Sequence, residues 1–126
     1  MHRSQLGGFI IDCNTKDLDA AARFWGEALG LKIRLSPDPE DKNYAVFDTG
    51  PNDLDIQVQQ VDHPSRVHLD IETDDIDAEV ARLERLGARR VAKIKSWWVM
   101  EAPTGQRFCV VRAKRSEFAR AANRWD

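Results

Sequence analysis

The sequence predicts an α+β fold made of two copies of a βαβββ module. The main observation is a repeat, because Asp17-Leu18-Asp19-Ala20 opens one helical stretch and Asp75-Ile76-Asp77-Ala78 opens another. Each stretch ends at a Leu-Gly pair, at Gly30 and at Gly87. A strand-like run precedes each stretch and three such runs follow it. A repeat of this kind predicts two copies of one supersecondary unit, and neither copy is long enough to bury a good core alone.

Length and composition predict a single domain over 1–126. Charged residues make up 32% of the chain, the net charge is −2, and the two signs are interspersed, so no basic face for nucleic acid is expected. No apolar run approaches the ~20 residues of a membrane span, and the N-terminus lacks a signal-peptide pattern. Two distant cysteines, Cys13 and Cys109, predict free thiols in a cytoplasmic protein without a membrane partner.

The first module, about residues 6–61, begins with a predicted strand over 8–13, where apolar residues fall on alternate faces. Asp17 then marks the start of a helix, because its carboxylate can accept hydrogen bonds from the unpaired amides of the first turn. The apolar residues that follow recur at helical spacing and form one stripe: Leu18, Ala21, Ala22, Trp25 and Leu29. Gly30 suits the left-handed conformation that ends many helices.

Three further strands complete the first module. They are predicted over 31–36, 43–49 and 54–59, where apolar and polar residues alternate. The segments between them carry turn-forming residues, with prolines and acids over 37–41 and the run Gly50-Pro51-Asn52-Asp53 before the last strand.

A linker over 62–66 leads into the second module, about residues 67–113, which repeats the same order of elements. Its first strand alternates apolar residues with His68, Asp70 and Glu72. Caps at residues 73–75 start the helix and Gly87 ends it. Three strands follow, and they are predicted over 88–94, 97–102 and 107–112.

The C-terminal tail, 114–126, leaves two alternatives open. Phe118, Ala122 and Trp125 have helical spacing, which predicts a short helix that docks on the domain or on a partner. The same tail is equally consistent with a frayed chain end.

The second module carries a family resemblance. Its stretches Arg66-Val67-His68-Leu69-Asp70-Ile71 and Pro103-Thr104-Gly105-Gln106-Arg107-Phe108-Cys109 resemble the vicinal oxygen chelate superfamily, in its glyoxalase/bleomycin-resistance-like branch. The resemblance implies paired curved mixed sheets around a cleft, as in glyoxalase, bleomycin-resistance and dioxygenase folds. It also implies a small-molecule ligand and a homodimer.

The resemblance further implies where a metal ion would bind. Metal-dependent members draw one ligand from the first and one from the last strand of each module, which corresponds here to Ile10, Gln57, His68 and Cys109. Such a set lacks carboxylates and includes a hydrocarbon, so we expect the metal site to be lost and no cofactor to bind. The alternative is a divalent metal held by His68 and Gln57. Three carboxylates on the expected cleft face could also substitute for the missing donors: Asp12, Asp55 and Asp70.

The predicted ligand-binding residues line the expected cleft: Gln57, His68, Asp70, Trp98 and Cys109. His68 is either a polar residue of the sheet face or a candidate general base, since its ordinary pKa lies near neutrality. Cys109 shares a predicted face with His68, which allows either a nucleophilic pair or a small buried thiol. Of the tandem Trp97 and Trp98, one faces the core and the other faces the cleft. The sequence does not decide between them, and Trp98 is taken as the cleft residue.

These observations lead to one functional prediction and two alternatives. The leading prediction is a small-molecule-binding glyoxalase-like protein without the family's metal. One alternative is a metal-dependent lyase or isomerase that acts on a small oxygenated metabolite, and the other is a drug-sequestering resistance protein. No nucleotide-binding, zinc-protease or serine-hydrolase motif occurs in the sequence.

Overall fold

A computed structural model of the chain describes residues 1–34, 38–50 and 53–126, and it confirms the mixed α+β class. The helices are α1 (Leu18–Leu29), α2 (Ile76–Arg85) and α3 (Phe118–Ala121). The strands are β1 (His2–Asn14), β2 (Lys32–Arg34), β3 (Tyr44–Asp48), β4 (Asp55–Val61), β5 (Arg66–Thr73), β6 (Arg89–Ile94), β7 (Trp97–Glu101), β8 (Arg107–Arg112) and β9 (Asn123–Trp125). No described helix is both long enough and apolar enough to cross a membrane.

The chain divides into two compact units. The central unit is Phe9–Val67, and the terminal unit combines Met1–Gly8 with His68–Asp126. The terminal unit therefore contains the predicted second module together with the first residues of the chain and the tail. Parts of two predicted segments lie outside the described residues: 35–37, at the end of the second predicted strand and the start of its loop, and 51–52 in the predicted turn.

In the central unit, β2, β3 and β4 form antiparallel pairs, and β1 lies beside β4. Helix α1 begins and ends where the sequence predicted. The Asp17 carboxylate accepts a hydrogen bond from the Ala20 amide at 3.0 Å at its start, and Gly30, with a φ of 69°, ends it. The core consists of Ile11 from β1, Phe47 from β3 and Val58 from β4. The apolar stripe of α1 packs against these residues. Residues 39–41, expected to be an irregular loop, form a short 3-10 turn.

In the terminal unit, the strand order is β5-β8-β7-β6. β5 and β8 are parallel, whereas β8, β7 and β6 form antiparallel pairs. Helix α2 begins as predicted, since the Asp75 carboxylate accepts the Ala78 amide at 3.1 Å. The core of this unit lies between the helix and the sheet: Val80, Leu83, Met100 and Val110.

The first strand is longer than the sequence predicted, and the tail contains a short helix, which was one of its two predicted alternatives, followed by the unpredicted strand β9. β1 starts at His2, not at residue 8, and its first residues pair with β9, with His2 opposite Trp125. Its early residues are polar but buried, with His2 at 8% and Ser4 at 2% exposure. Apolar alternation could not reveal this part of the strand, because its buried side chains are satisfied by hydrogen bonds instead of apolar contact.

Candidate metal centre

Two adjacent strands of the terminal unit carry the candidate site. β5 and β8 run parallel in a register that places Asp70 beside Cys109 and Ile71 beside Val110. Val110 belongs to the core under α2, and Ile71 packs against that core. Because neighbouring residues of a strand point to opposite faces, Asp70 and Cys109 lie on the face away from α2. His68, two residues before Asp70, shares that face.

The side chains of His68, Asp70 and Cys109 converge on one point. One possible ligand atom from each residue lies within 4.8 Å of the others. The His68 Nε2 and the Asp70 Oδ1 are 3.6 Å apart, and these side chains are only 12% and 17% exposed. An imidazole nitrogen, a carboxylate oxygen and a thiolate sulfur are all donors that divalent transition ions accept. Ligands bound at about 2.0–2.3 Å around a tetrahedral ion lie roughly 3.3–3.8 Å from one another. The His68–Asp70 pair already has this spacing, and the widest pair of the cluster would have to close by only about 1 Å, so the residues fit such an ion.

This cluster corrects the prediction that no metal cofactor binds. The prediction rested on Ile10, Gln57, His68 and Cys109 as the inherited donor positions, and it treated carboxylates only as possible substitutes. The structure instead brings together two of those residues and the carboxylate of Asp70, which the sequence offered as a substitute. The carboxylate is available because the parallel register sets Asp70 directly beside Cys109.

The other residues considered as donors lie in the central unit. The Gln57 amide donates a hydrogen bond to the Asp55 carboxylate at 2.7 Å. Asp12 is 2% exposed and forms an ion pair with Arg66 at 3.6 Å. Ile10 is 3% exposed, as expected of an apolar side chain without a polar role.

The tandem tryptophans need a second correction. Trp98 is paired with Val110 and packs against the core beneath α2, so it does not share the face of Cys109. The Arg90 guanidinium lies over its ring, 5.0 Å from the centroid. Cys109 is paired with Val99, and Trp97 is two residues from Val99 on the same face. Strand alternation therefore assigns to Trp97 the face that the sequence analysis assigned to Trp98.

Sequence reasoning gave no role to one polar group that it placed on this face. Glu72 continues the row of His68 and Asp70 along β5, and it is 5% exposed. Its Oε1 accepts hydrogen bonds from Gln5 at 2.7 Å and from Arg115 at 2.8 Å. The alternation of β5 indicated its face, but nothing local indicated that Arg115, from the segment after β8, would hold it.

The two cysteines have different environments. Cys13 lies in the central unit, where it packs against the core of that unit. Burial, together with the nearby Asp12 charge, raises the pKa of Cys13 above its usual value, although a hydrogen bond with Trp25 opposes the shift. Cys13 is therefore mainly a protonated thiol at neutral pH, which suits a packing role. Cys109, in contrast, belongs to the donor cluster.

Comparison with known proteins gives the family. A family model for the glyoxalase-like domain matches residues 8–111. The chain therefore belongs to the glyoxalase-like domain family, within the vicinal oxygen chelate superfamily that the sequence resembles. No curated protein matches the sequence significantly.

Solved structures share the fold at low sequence identity. A hypothetical protein from Bacillus halodurans is 12% identical with a TM-score of 0.64, and the match covers 90% of this chain and 98% of that one. A point variant of the Streptomyces coelicolor methylmalonyl-CoA epimerase, in complex with 2-nitronate-propionyl-CoA, is 16% identical with a TM-score of 0.63, and the match covers 87% of this chain and 98% of that one. The Mn(II)-bound glyoxalase from Novosphingobium aromaticivorans is 20% identical with a TM-score of 0.61, covering 92% and 43%. Identities this low establish the fold alone.

Proposed function

We propose that this protein is a divalent-cation-dependent isomerase or lyase that acts on a small oxygenated metabolite. The observation that carries the proposal is the convergence of His68, Asp70 and Cys109 within 4.8 Å on one sheet face. Three protein ligands are the number typical of catalytic sites, which leave a coordination position for water or substrate, whereas structural zinc sites use four.

The charges of the cluster suit a dication. A neutral imidazole, a carboxylate and a thiolate together carry two negative charges, and their partial burial strengthens attraction to a cation. An ion bound there would act as a Lewis acid on a substrate oxygen. The side chains of His68, Asp70 and Cys109 would hold this ion and orient it, because β5 and β8 fix their backbones in a parallel ladder.

The structural relatives support this choice of reaction class. One is an epimerase solved with 2-nitronate-propionyl-CoA, and another is a glyoxalase solved with Mn(II). Both kinds of protein use this fold, so a small carbonyl compound and a divalent ion are the first candidates for this chain.

Gln57 stays a predicted ligand contact. Homodimer assembly and a cytoplasmic location also stay predictions, of which light scattering tests the first.

The proposal is tested with protein stripped by a chelator and reloaded with single metals. Calorimetry should find one tight site per chain, and loss of that site in His68→Ala would place it at the cluster. Activity is screened by NMR in D₂O as exchange of the proton on carbon adjacent to a carbonyl, with methylmalonyl-CoA and small 2-oxo and 2-hydroxy acids as probes. Exchange should appear with the loaded protein and disappear with the stripped one.

Two controls make the test specific. His63→Ala removes an exposed histidine that bonds to the Pro64 carbonyl, so it should leave metal stoichiometry unchanged. Wild-type protein that binds no divalent ion would overturn the proposal. Metal binding that persists undiminished in His68→Ala would also overturn the assignment of the site.

A further inference from the structure

We infer that the cluster selects thiophilic divalent ions of the Zn²⁺ and Co²⁺ kind over hard ions such as Mg²⁺ and Mn²⁺. The inference rests on the proposed function, because it assumes that His68, Asp70 and Cys109 hold the cation. It goes further by naming the class of ion from the donors that this chain supplies.

The sulfur of Cys109 is the first reason. Thiolate ligands favour zinc and other softer ions, whereas carboxylates, carbonyls and water favour magnesium, calcium and manganese. Asp70 is the one carboxylate in the cluster. The described donor set is therefore one sulfur, one nitrogen and one oxygen, a mixture typical of zinc sites.

The position of Glu72 is the second reason. This carboxylate is the next residue on the same face of β5, and a second carboxylate would make the site harder. Its Oε1 is instead 2.6 Å from the Arg115 guanidinium and 2.7 Å from the Gln5 amide. A Cβ on Gly7 would lie 3.1 Å from the Cβ of Glu72, so the absent side chain of Gly7 lets Glu72 pack closely in this arrangement. The Glu72 carboxylate is therefore engaged in an ion pair with Arg115 and does not add a second carboxylate to the cluster.

The shielding of the cluster is the third reason. The side chains of His68 and Asp70 are 12% and 17% exposed, which limits the number of water molecules that could surround a bound ion. Mg²⁺ loses water reluctantly and usually keeps several water ligands, so it is poorly suited to a cluster of this kind. Zn²⁺ takes four ligands with ease and accepts three from protein.

The inference is tested on metal-free full-length protein with Co²⁺, Zn²⁺, Mn²⁺ and Mg²⁺ as the probes. Co²⁺ should give a sulfur-to-cobalt charge-transfer absorption, which reports the thiolate directly and needs no activity. Competition titrations should find Zn²⁺ bound at least about 100-fold more tightly than Mn²⁺. In Cys109→Asp, the preference for Zn²⁺ over Mn²⁺ should fall by about 10-fold or more.

Matched variants separate the possible outcomes. Cys13→Ser removes the other thiol and should keep both the cobalt band and the metal preference. Stoichiometric metal binding without the cobalt band would overturn the inference and leave the proposed function standing. An undiminished preference for Zn²⁺ over Mn²⁺ in Cys109→Asp would do the same. If none of the four ions binds, both fail together.

Discussion

The imidazole Nε2 of His2 lies 2.8 Å from the carboxylate Oε1 of Glu79, although 77 positions separate the two residues in the chain. Glu79 lies on α2 and is 0% exposed. Its two oxygens also accept hydrogen bonds from Arg82 at 2.8 and 2.9 Å. The start of β1 is thereby fixed to α2 through a buried charge that is fully hydrogen-bonded.

We expect Glu79→Gln to lower the free energy of unfolding by about 2 kcal/mol, because hydrogen bonds to charged groups contribute about 1.5–3 kcal/mol each. The amide keeps the size of the side chain but loses the charge that Arg82 requires. Urea denaturation followed by far-UV circular dichroism measures the change. Glu84→Gln, on the same helix, breaks the exposed pair with Arg90 and should cost less than about 0.5 kcal/mol. Equal costs for the two variants would contradict this assignment.

The same carboxylate predicts sensitivity to acid. Burial raises the pKa of Glu79, but hydrogen bonds from Arg82, His2 and Ser4 outweigh burial and hold the pKa below its usual range. Below about pH 4.5 the unfolded chain therefore takes up the proton before the folded chain does, and stability falls with pH. The stabilisation is complete above this range and is lost as the pH drops through the folded pKa.

Urea titrations between about pH 6 and pH 3 measure this effect. The free energy of unfolding should fall more steeply for wild type than for Glu79→Gln, so the difference between the two proteins narrows with acidification. A difference that stays constant over this range would show that the titration of Glu79 does not contribute.

Gly26 in α1 predicts an exception to helix propensity. Alanine is favoured over glycine within helices by about 1 kcal/mol. A Cβ at Gly26 would, however, lie 3.1 Å from the Leu31 carbonyl oxygen and 3.4 Å from the Phe47 ring. We expect Gly26→Ala to destabilise the protein by about 1 kcal/mol, since overpacking outweighs propensity. Glu27→Ala, at the next and exposed position, should change stability by less than about 0.5 kcal/mol. A more stable Gly26→Ala protein would show that Leu31 and Phe47 move enough to accommodate the added methyl group.

Two contacts of Trp125 hold the C-terminal tail against the rest of the terminal unit. Its indole nitrogen donates a hydrogen bond to the Ser4 hydroxyl at 2.8 Å, and the Arg82 guanidinium lies 3.9 Å from the ring centroid. Trp125→Ala should cost about 2 kcal/mol, whereas Trp125→Phe keeps the ring face and should cost about half as much. Urea denaturation measures both costs, and hydrogen exchange of the β1 amides should accelerate most in the alanine variant. Unchanged exchange would indicate that β9 does not protect β1.

Local signals in the sequence were enough for most of the fold. Both long helices begin after an aspartate whose carboxylate caps the first turn, and the residues that end them are the predicted ones to within one position. The strands of both modules appear where alternation predicted them, within one or two residues for most strands. Capping and alternation depend on neighbours in the chain, so a single sequence reveals them.

The elements that the sequence did not predict, the start of β1 and the strand β9, depend on partners far apart in the chain. The first residues of β1 are a strand because β9 pairs with them, and the polar side chains of this segment are buried because Glu79 and Trp125 bond to them. A pattern confined to a short stretch contains none of this information, so the strand start and the pairing of the chain end as β9 were not predictable from alternation.

The candidate site shows the same division between local and distant information. The sequence alone determined that His68 and Asp70 share one face of β5, because a strand has a period of two. It also supplied the family resemblance. Only the tertiary structure decided that Asp70 stands beside Cys109, that Trp97 and not Trp98 shares their face, and that Arg115 holds Glu72. The physical reason is that pairing and register between strands far apart in the chain arise from hydrogen bonds and packing of the whole sheet, which no local stretch encodes.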